Sequence, residues 1–154
     1  PPRVNRVRSS AASDGYKEGL DPLIISAYRS FDYQDQLKTN HAVTYGTSVS
    51  NKFVADQGYS EHQLGTTVDI VNASIGSEME AFSTTPEYQW LEQNAHIYGF
   101  TLSYPENNSY YEFEPWHWRF VGKELAAELH AQGKHFYDLS QREINEYRVK
   151  MFDQ

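Results

Sequence analysis

Apolar residues in this chain come in short, β-rich runs set between polar stretches, with no single long period. Leu23-Ile24-Ile25-Ser26-Ala27-Tyr28 follows Asp21-Pro22 and reads as a strand. Thr66–Val71 is β-branched and reads as another, as do Phe100–Tyr104 and Trp116–Val121. Helical signals lie between them. Asp32 is placed to cap a helix running to about Thr44, with Gly46 as its stop. Thr85-Pro86 supplies a cap followed by proline at the first helical position, and that helix runs through Trp90, Leu91 and Ile97 to Gly99. Lys123–Gln132 ends at Gly133, and Ser140-Gln141-Arg142-Glu143 has capping-box form and opens a last helix. Residues 47–65 show no period and contain Gly58 and Gly65, so they read as a long loop of the kind that often carries function. Asn107-Asn108-Ser109 is a turn, and the polar stretch 3–19 reads as the end of a helix. Crossover helices are missing between several strands. The expected fold class is therefore α+β, with a small central antiparallel sheet flanked by helices.

Length and composition narrow the picture only slightly. The chain has 154 residues, suiting one domain over 1–154, and shows no internal repeat or low-complexity linker. A formal net charge of −8 argues against a nucleic-acid surface and against docking on an anionic membrane. The basic cluster Arg3, Arg6 and Arg8 reads as a solvated end. With no cysteine, disulfides, Cys-based metal sites and a Cys nucleophile are excluded. No apolar run approaches a membrane span. The chain starts Pro1-Pro2, which suggests a mature or trimmed domain whose export signal or anchor was removed. A monomer is expected.

Two segments carry candidate chemistry: Ser60-Glu61-His62-Gln63-Leu64-Gly65-Thr66-Thr67-Val68-Asp69, and Glu114-Pro115-Trp116-His117-Trp118-Arg119. A catalytic zinc takes three nitrogen or oxygen donors and keeps a fourth position for water. His62 at the end of a loop, Asp69 in the next strand and His117 in a separate strand form such a set. Gly65 lets the chain turn between the first two. Glu114 stands three residues before His117 and would face away from it in a straight strand. Pro115 implies a bend that can bring Glu114 beside the metal as a general base. Spacing alone leaves a packed histidine and an edge-strand aspartate as open alternatives.

The two segments resemble the zinc D-alanyl-D-alanine carboxypeptidases of the VanY type. That family carries Ser-x-His-x-x-Gly-x-Ala-x-Asp and a later Glu-Pro-Trp-His. A third match is Ser26-Ala27-Tyr28-Arg29-Ser30-Phe31 with Gln34 behind it. Ala27 replaces a usual glycine, Thr67 a usual alanine and Phe120 a common tyrosine, and none of these removes a donor from the site. The resemblance implies a Hedgehog-like peptidase fold and a zinc ion held by His62, Asp69 and His117, with Glu114 as catalytic base. It places Arg29 in the substrate cleft, gripping a terminal carboxylate or helping stabilise the oxyanion. An Arg29→Ala change is then expected to harm turnover without altering metal content. Gln34 and Ser60 are candidates for hydrogen bonds to substrate, with Ser60 alternatively holding the loop.

The implied substrate is a peptidoglycan stem peptide, and the implied location is the bacterial cell envelope or the extracellular space. The implied reaction is removal of the C-terminal D-alanine. L,D-carboxypeptidase and L-alanyl-D-glutamate endopeptidase chemistry are the enzymatic alternatives, and a Hedgehog-like binding module is the non-enzymatic one. Tyr104 is a candidate to line the cleft, but reads first as a core or surface residue. His41 and His96 read as helix residues without partners, and His130 and His135 as helix-end histidines. Trp116 and Trp118 read as packing around His117.

Overall fold

The structure, a computed structural model, describes residues 13–152. Arg3, Arg6 and Arg8 and the start of the 3–19 stretch lie outside them. Strand β1 (Pro22–Ser26) leads into helix α1 (Phe31–Tyr45) and helix α2 (Thr47–Phe53). A 3-10 turn, Glu61–Leu64, precedes β2 (Thr67–Asn72). Helix α3 (Pro86–Asn94) is followed by β3 (Phe100–Leu102) and β4 (His117–Phe120), and then by α4 (Lys123–Gln132) and α5 (Gln141–Phe152). The strands form one antiparallel sheet in the order β1-β2-β4-β3. This is the α+β class with a small antiparallel sheet that the patterning implied.

Two expectations about helices are corrected. The cap of α1 is Ser30, not Asp32: Ser30 has extended backbone and accepts from the Tyr33 N–H at 3.1 Å. Asp32 instead sits in the first turn, where a negative charge suits the helix dipole. Residues 47–65 are not one loop, because α2 and the 3-10 turn occupy most of the stretch. Thr, Ser and Asn in Thr47–Phe53 are weak helix formers. What holds α2 is docking on α1 through the fully buried Ser50, with packing overriding propensity. The other caps fall as expected: Thr85 accepts from the Tyr88 N–H, and Ser140 and Glu143 close a capping box.

Register divides the sheet into two faces. Val68 lies opposite Trp118, and Leu102 opposite Trp118 on the other side. Side chains alternate along a strand, so Val68, Ile70, Trp118, Phe120, Phe100 and Leu102 share one apolar face. That face meets Trp90, Leu91 and Ala95 of the α3 region and forms the core with Phe82 and Tyr88. The opposite face carries the next residues along: Asp69 paired with His117, and Thr67 paired with Arg119. Between Ile24 and Ser26 the register slips, so Ile25 is an extra residue and Ser26, not Ile25, stands opposite Asp69.

Gly99 ends the turn before β3 at φ +88°. A Cβ there would lie 2.7 Å from Phe120 Cε2 and 3.0 Å from the Gly122 backbone, so the close approach of the two chain segments needs glycine.

Candidate active site

Three short segments converge on the polar face of the sheet. His62 lies in the 3-10 turn, which Gly65 ends in the left-handed conformation (φ 70°), turning the chain straight into β2 and Asp69. His117 opens β4. The Asp69 Oδ1 atom lies 3.3 Å from His62 Nε2 and 3.4 Å from His117 Nδ1. Tetrahedral zinc at about 2.0–2.1 Å from its donors separates them by roughly 3.3–3.4 Å. Among the described residues these three form the single His, Asp or Glu group whose ligand atoms gather within 4.8 Å. His62 Nε2 and Asp69 Oδ1 are buried without any hydrogen-bond partner, which is costly unless something cationic joins them. The donor set fits a zinc-like ion.

The atoms behind the ligands point the same way. His62 Nδ1 lies 2.6 Å from the Ala27 carbonyl, which can only accept, so the proton sits on Nδ1 and Nε2 offers its lone pair to the centre. Asp69 divides its oxygens: Oδ2 accepts from the Arg29 guanidinium at 2.7 Å, while Oδ1 faces the histidines. Arg29 is fixed further by donating through Nε to Ser26 Oγ at 2.9 Å. The one-residue slip in β1 places Ser26 for this contact.

At the Pro115 bend Glu114 comes beside His117. The His117 N–H donates to the Glu114 carbonyl at 3.2 Å, closing a turn, and Glu114 Oε2 lies 3.3 Å from His117 Nδ1. Burial pushes the Glu114 carboxyl above its ordinary value, partly offset by His117. For Asp69, burial pushes upward but the neighbouring His117 and His62 rings outweigh it, holding the carboxyl below the usual range. Burial opposes charge on His117, yet Asp69, Glu114 and Glu61 overcome it and draw positive charge to the ring. The space between these carboxylates therefore favours a cation.

A cleft of about 530 Å³ opens over the centre. Arg29 is the one lysine or arginine lining it among the described residues. Gln34 and Ser60 both line it too. Gln34 is 1% exposed; its amide donates to the Ala55 carbonyl at 2.9 Å, and its Oε1 has no partner. Ser60 is buried at the start of the 3-10 turn, and its carbonyl accepts from the Gln63 N–H, a loop-holding contact.

Several readings change. Tyr104 is a buried wall of the cleft, its ring 4.6 Å from that of His117. His41 lines the cleft and packs on Tyr45, and His96 stacks on His130 at 3.8 Å, so neither lacks a partner. Trp116 and Trp118 are buried packing residues, as expected. Glu61, quoted in the first motif without a role, has its carboxylate 2.9 Å from His117 Nε2. No local signal could have found it, because the groups it binds are 42 to 76 residues away.

Residues 4–123 match the family described as VanY: D-alanyl-D-alanine carboxypeptidase. YodJ of Bacillus subtilis (strain 168) is 42% identical over 114 residues, which are 71% of this chain and 42% of that protein. The chain thus spans less than half the length of that curated relative. Among solved structures, the LdcB LD-carboxypeptidase superposes with a TM-score of 0.77 at 35% identity, covering 86% of this chain and 64% of the other. A mutant of the D,D-pentapeptidase VanY from a VanB-type resistance cassette, in complex with Zn(II), superposes with a TM-score of 0.76 at 28% identity, covering 88% and 80%.

Proposed function

The chain belongs to the VanY D-alanyl-D-alanine carboxypeptidase family, and from that membership we propose that it is a zinc metallopeptidase removing the C-terminal D-alanine of peptidoglycan stem peptides. His62, Asp69 and His117 would hold the ion. When bound, zinc would lower the pKa of a water and polarise the scissile carbonyl. Glu114 takes the water's proton at Oε2, its basicity raised by burial, and passes it to the leaving amine. Arg29 faces the substrate's terminal carboxylate, for which a guanidinium is the apt partner, and adds charge near the developing oxyanion. Gln34 Oε1 can accept from a substrate amide N–H. Ser60 holds the 3-10 turn and borders the same cleft. Tyr104 and Trp116 wall off the reacting bond from bulk water. The substrate class argues for a place in the cell envelope or outside the cell, and nothing in the mechanism needs a second subunit.

One observation carries this reading. Two histidine nitrogens stand at zinc-like spacing from one Asp69 oxygen, beside the buried Glu114 carboxylate, and share their cleft with the Arg29 guanidinium. A second reading, D-alanine release from a tetrapeptide, is favoured by the 35% identity to the LD-carboxypeptidase LdcB. Mass spectrometry of defined stem peptides after incubation with zinc-loaded protein separates them. D-alanine released from a pentapeptide is the expected result; release only from a tetrapeptide selects the L,D activity. Cleavage between L-alanine and D-glutamate selects an endopeptidase. No chelator-sensitive turnover on any stem peptide would leave a binding module.

A further inference from the structure

Glu61 directly precedes one ligand histidine, yet its side chain turns to the other. It is 4% exposed, and its carboxylate meets four partners. Oε2 accepts from Ser103 Oγ at 2.7 Å and lies 2.9 Å from His117 Nε2. Oε1 accepts from an Arg119 guanidinium nitrogen at 2.7 Å and from the Tyr137 hydroxyl at 2.6 Å. An ionised carboxylate has only lone pairs, so every partner must bring the hydrogen. On His117 that holds a proton at Nε2, so Nδ1, which faces Asp69 Oδ1 and the centre, is the nitrogen left to bind the ion.

The geometry follows from the sheet. His117 and Arg119 are two apart on β4 and share its polar face, so one carboxylate can span both. Arg119 is itself held, its guanidinium 4.0 Å from the Phe136 ring centroid. Phe136 and Tyr137 belong to a 3-10 turn, Phe136–Asp138, beyond residue 123, where the family match ends. A carboxylate this deep would be costly without such donors. With them, it is a rigid stop against one nitrogen of one ligand.

We propose that Glu61 is a positioning residue for the metal centre: clamped by Ser103, Arg119 and Tyr137, it locks His117 in the Nε2-protonated form and aims Nδ1 at the ion. The inference rests on the zinc reading above. It also gives the turn after α4 a part in metal binding, since Tyr137 reaches the centre through Glu61.

The test compares wild type, E61Q and Y137F by zinc affinity from chelator competition and by 15N NMR of histidine-labelled, zinc-loaded protein. In E61Q the amide oxygen stays with Arg119 and Tyr137, and the NH2 group turns to His117. There it can only donate, which drives the ring proton to Nδ1, the nitrogen needed for zinc. Wild type should show Nε2–H on His117. E61Q should bind zinc roughly 10–100-fold more weakly, and Y137F less severely, with unchanged circular dichroism. Wild-type affinity and unchanged ring signals in E61Q would overturn the proposal. Should E61Q fail to fold, Y137F decides: it leaves Glu61 in place and alters a residue that is 42% exposed, and wild-type affinity there overturns the clamp. Wild type that takes up no zinc would bring down the metal reading itself, a separate result.

Discussion

Asp69 gives one oxygen to Arg29 and keeps the other for the centre, and that division couples two roles expected to be separate. The family resemblance implies that Arg29→Ala harms turnover with metal content unchanged. The 2.7 Å contact to Asp69 changes that expectation. Without the guanidinium, Asp69 loses the group that orients it, so Arg29→Ala should lower kcat/KM and also weaken zinc binding by roughly 10-fold or more. Parallel metal analysis and kinetics would show it, and full zinc affinity in the variant would return Arg29 to a purely substrate-facing role. Glu114→Ala should behave oppositely. Glu114 is not among the converging ligand atoms, so zinc should stay while kcat falls by roughly 10²–10⁴. Near-normal turnover in that variant would remove Glu114 from the base role. At this scale the sequence was most legible in the two motifs that resemble the family's, whose His62, Asp69, Glu114 and His117 the structure brings together. It was silent on Glu61, whose importance comes from contacts with residues far away in the chain.

Elements were legible where their ends carry specific chemistry. Thr85-Pro86, Gly133 and the Ser140–Glu143 box each marked a boundary the structure keeps. Helix α2 escaped notice because its residues have little helical preference and its hold comes from α1, a contact no local pattern encodes. The junction at Gly99 joins α3 to β3 and runs close beside the Gly122 backbone at the start of α4. An added methyl would meet the Phe120 ring and the Gly122 backbone in a conformation that L-residues resist. Gly99→Ala should therefore cost about 2–3 kcal/mol, measured by denaturant unfolding. Loss below about 0.5 kcal/mol would mean the segments part more easily than their spacing suggests.

Across the whole molecule, the proposed ion would tie β2, β4 and the 3-10 turn together at one point, in a chain whose formal charge of −8 already works against compaction. A ligand bound only by the folded state adds about 2.7 kcal/mol when its free concentration is 100 times Kd. Chelation should then lower Tm by roughly 5–10 °C, and added zinc should restore it. An unchanged melt would argue that the centre is rigid without any ion. The slip in β1 touches a different balance. An even register that kept Ile25 and paired it with Asp69 would complete the ladder along β1 and β2, which sheet energetics alone would welcome. It would also draw Ser26 and Arg29 one step along the strand and out of line with Asp69. The irregularity is thus a place where thermostability and turnover pull apart, and consensus or computational optimisation of the sheet would tend to trade the second for the first.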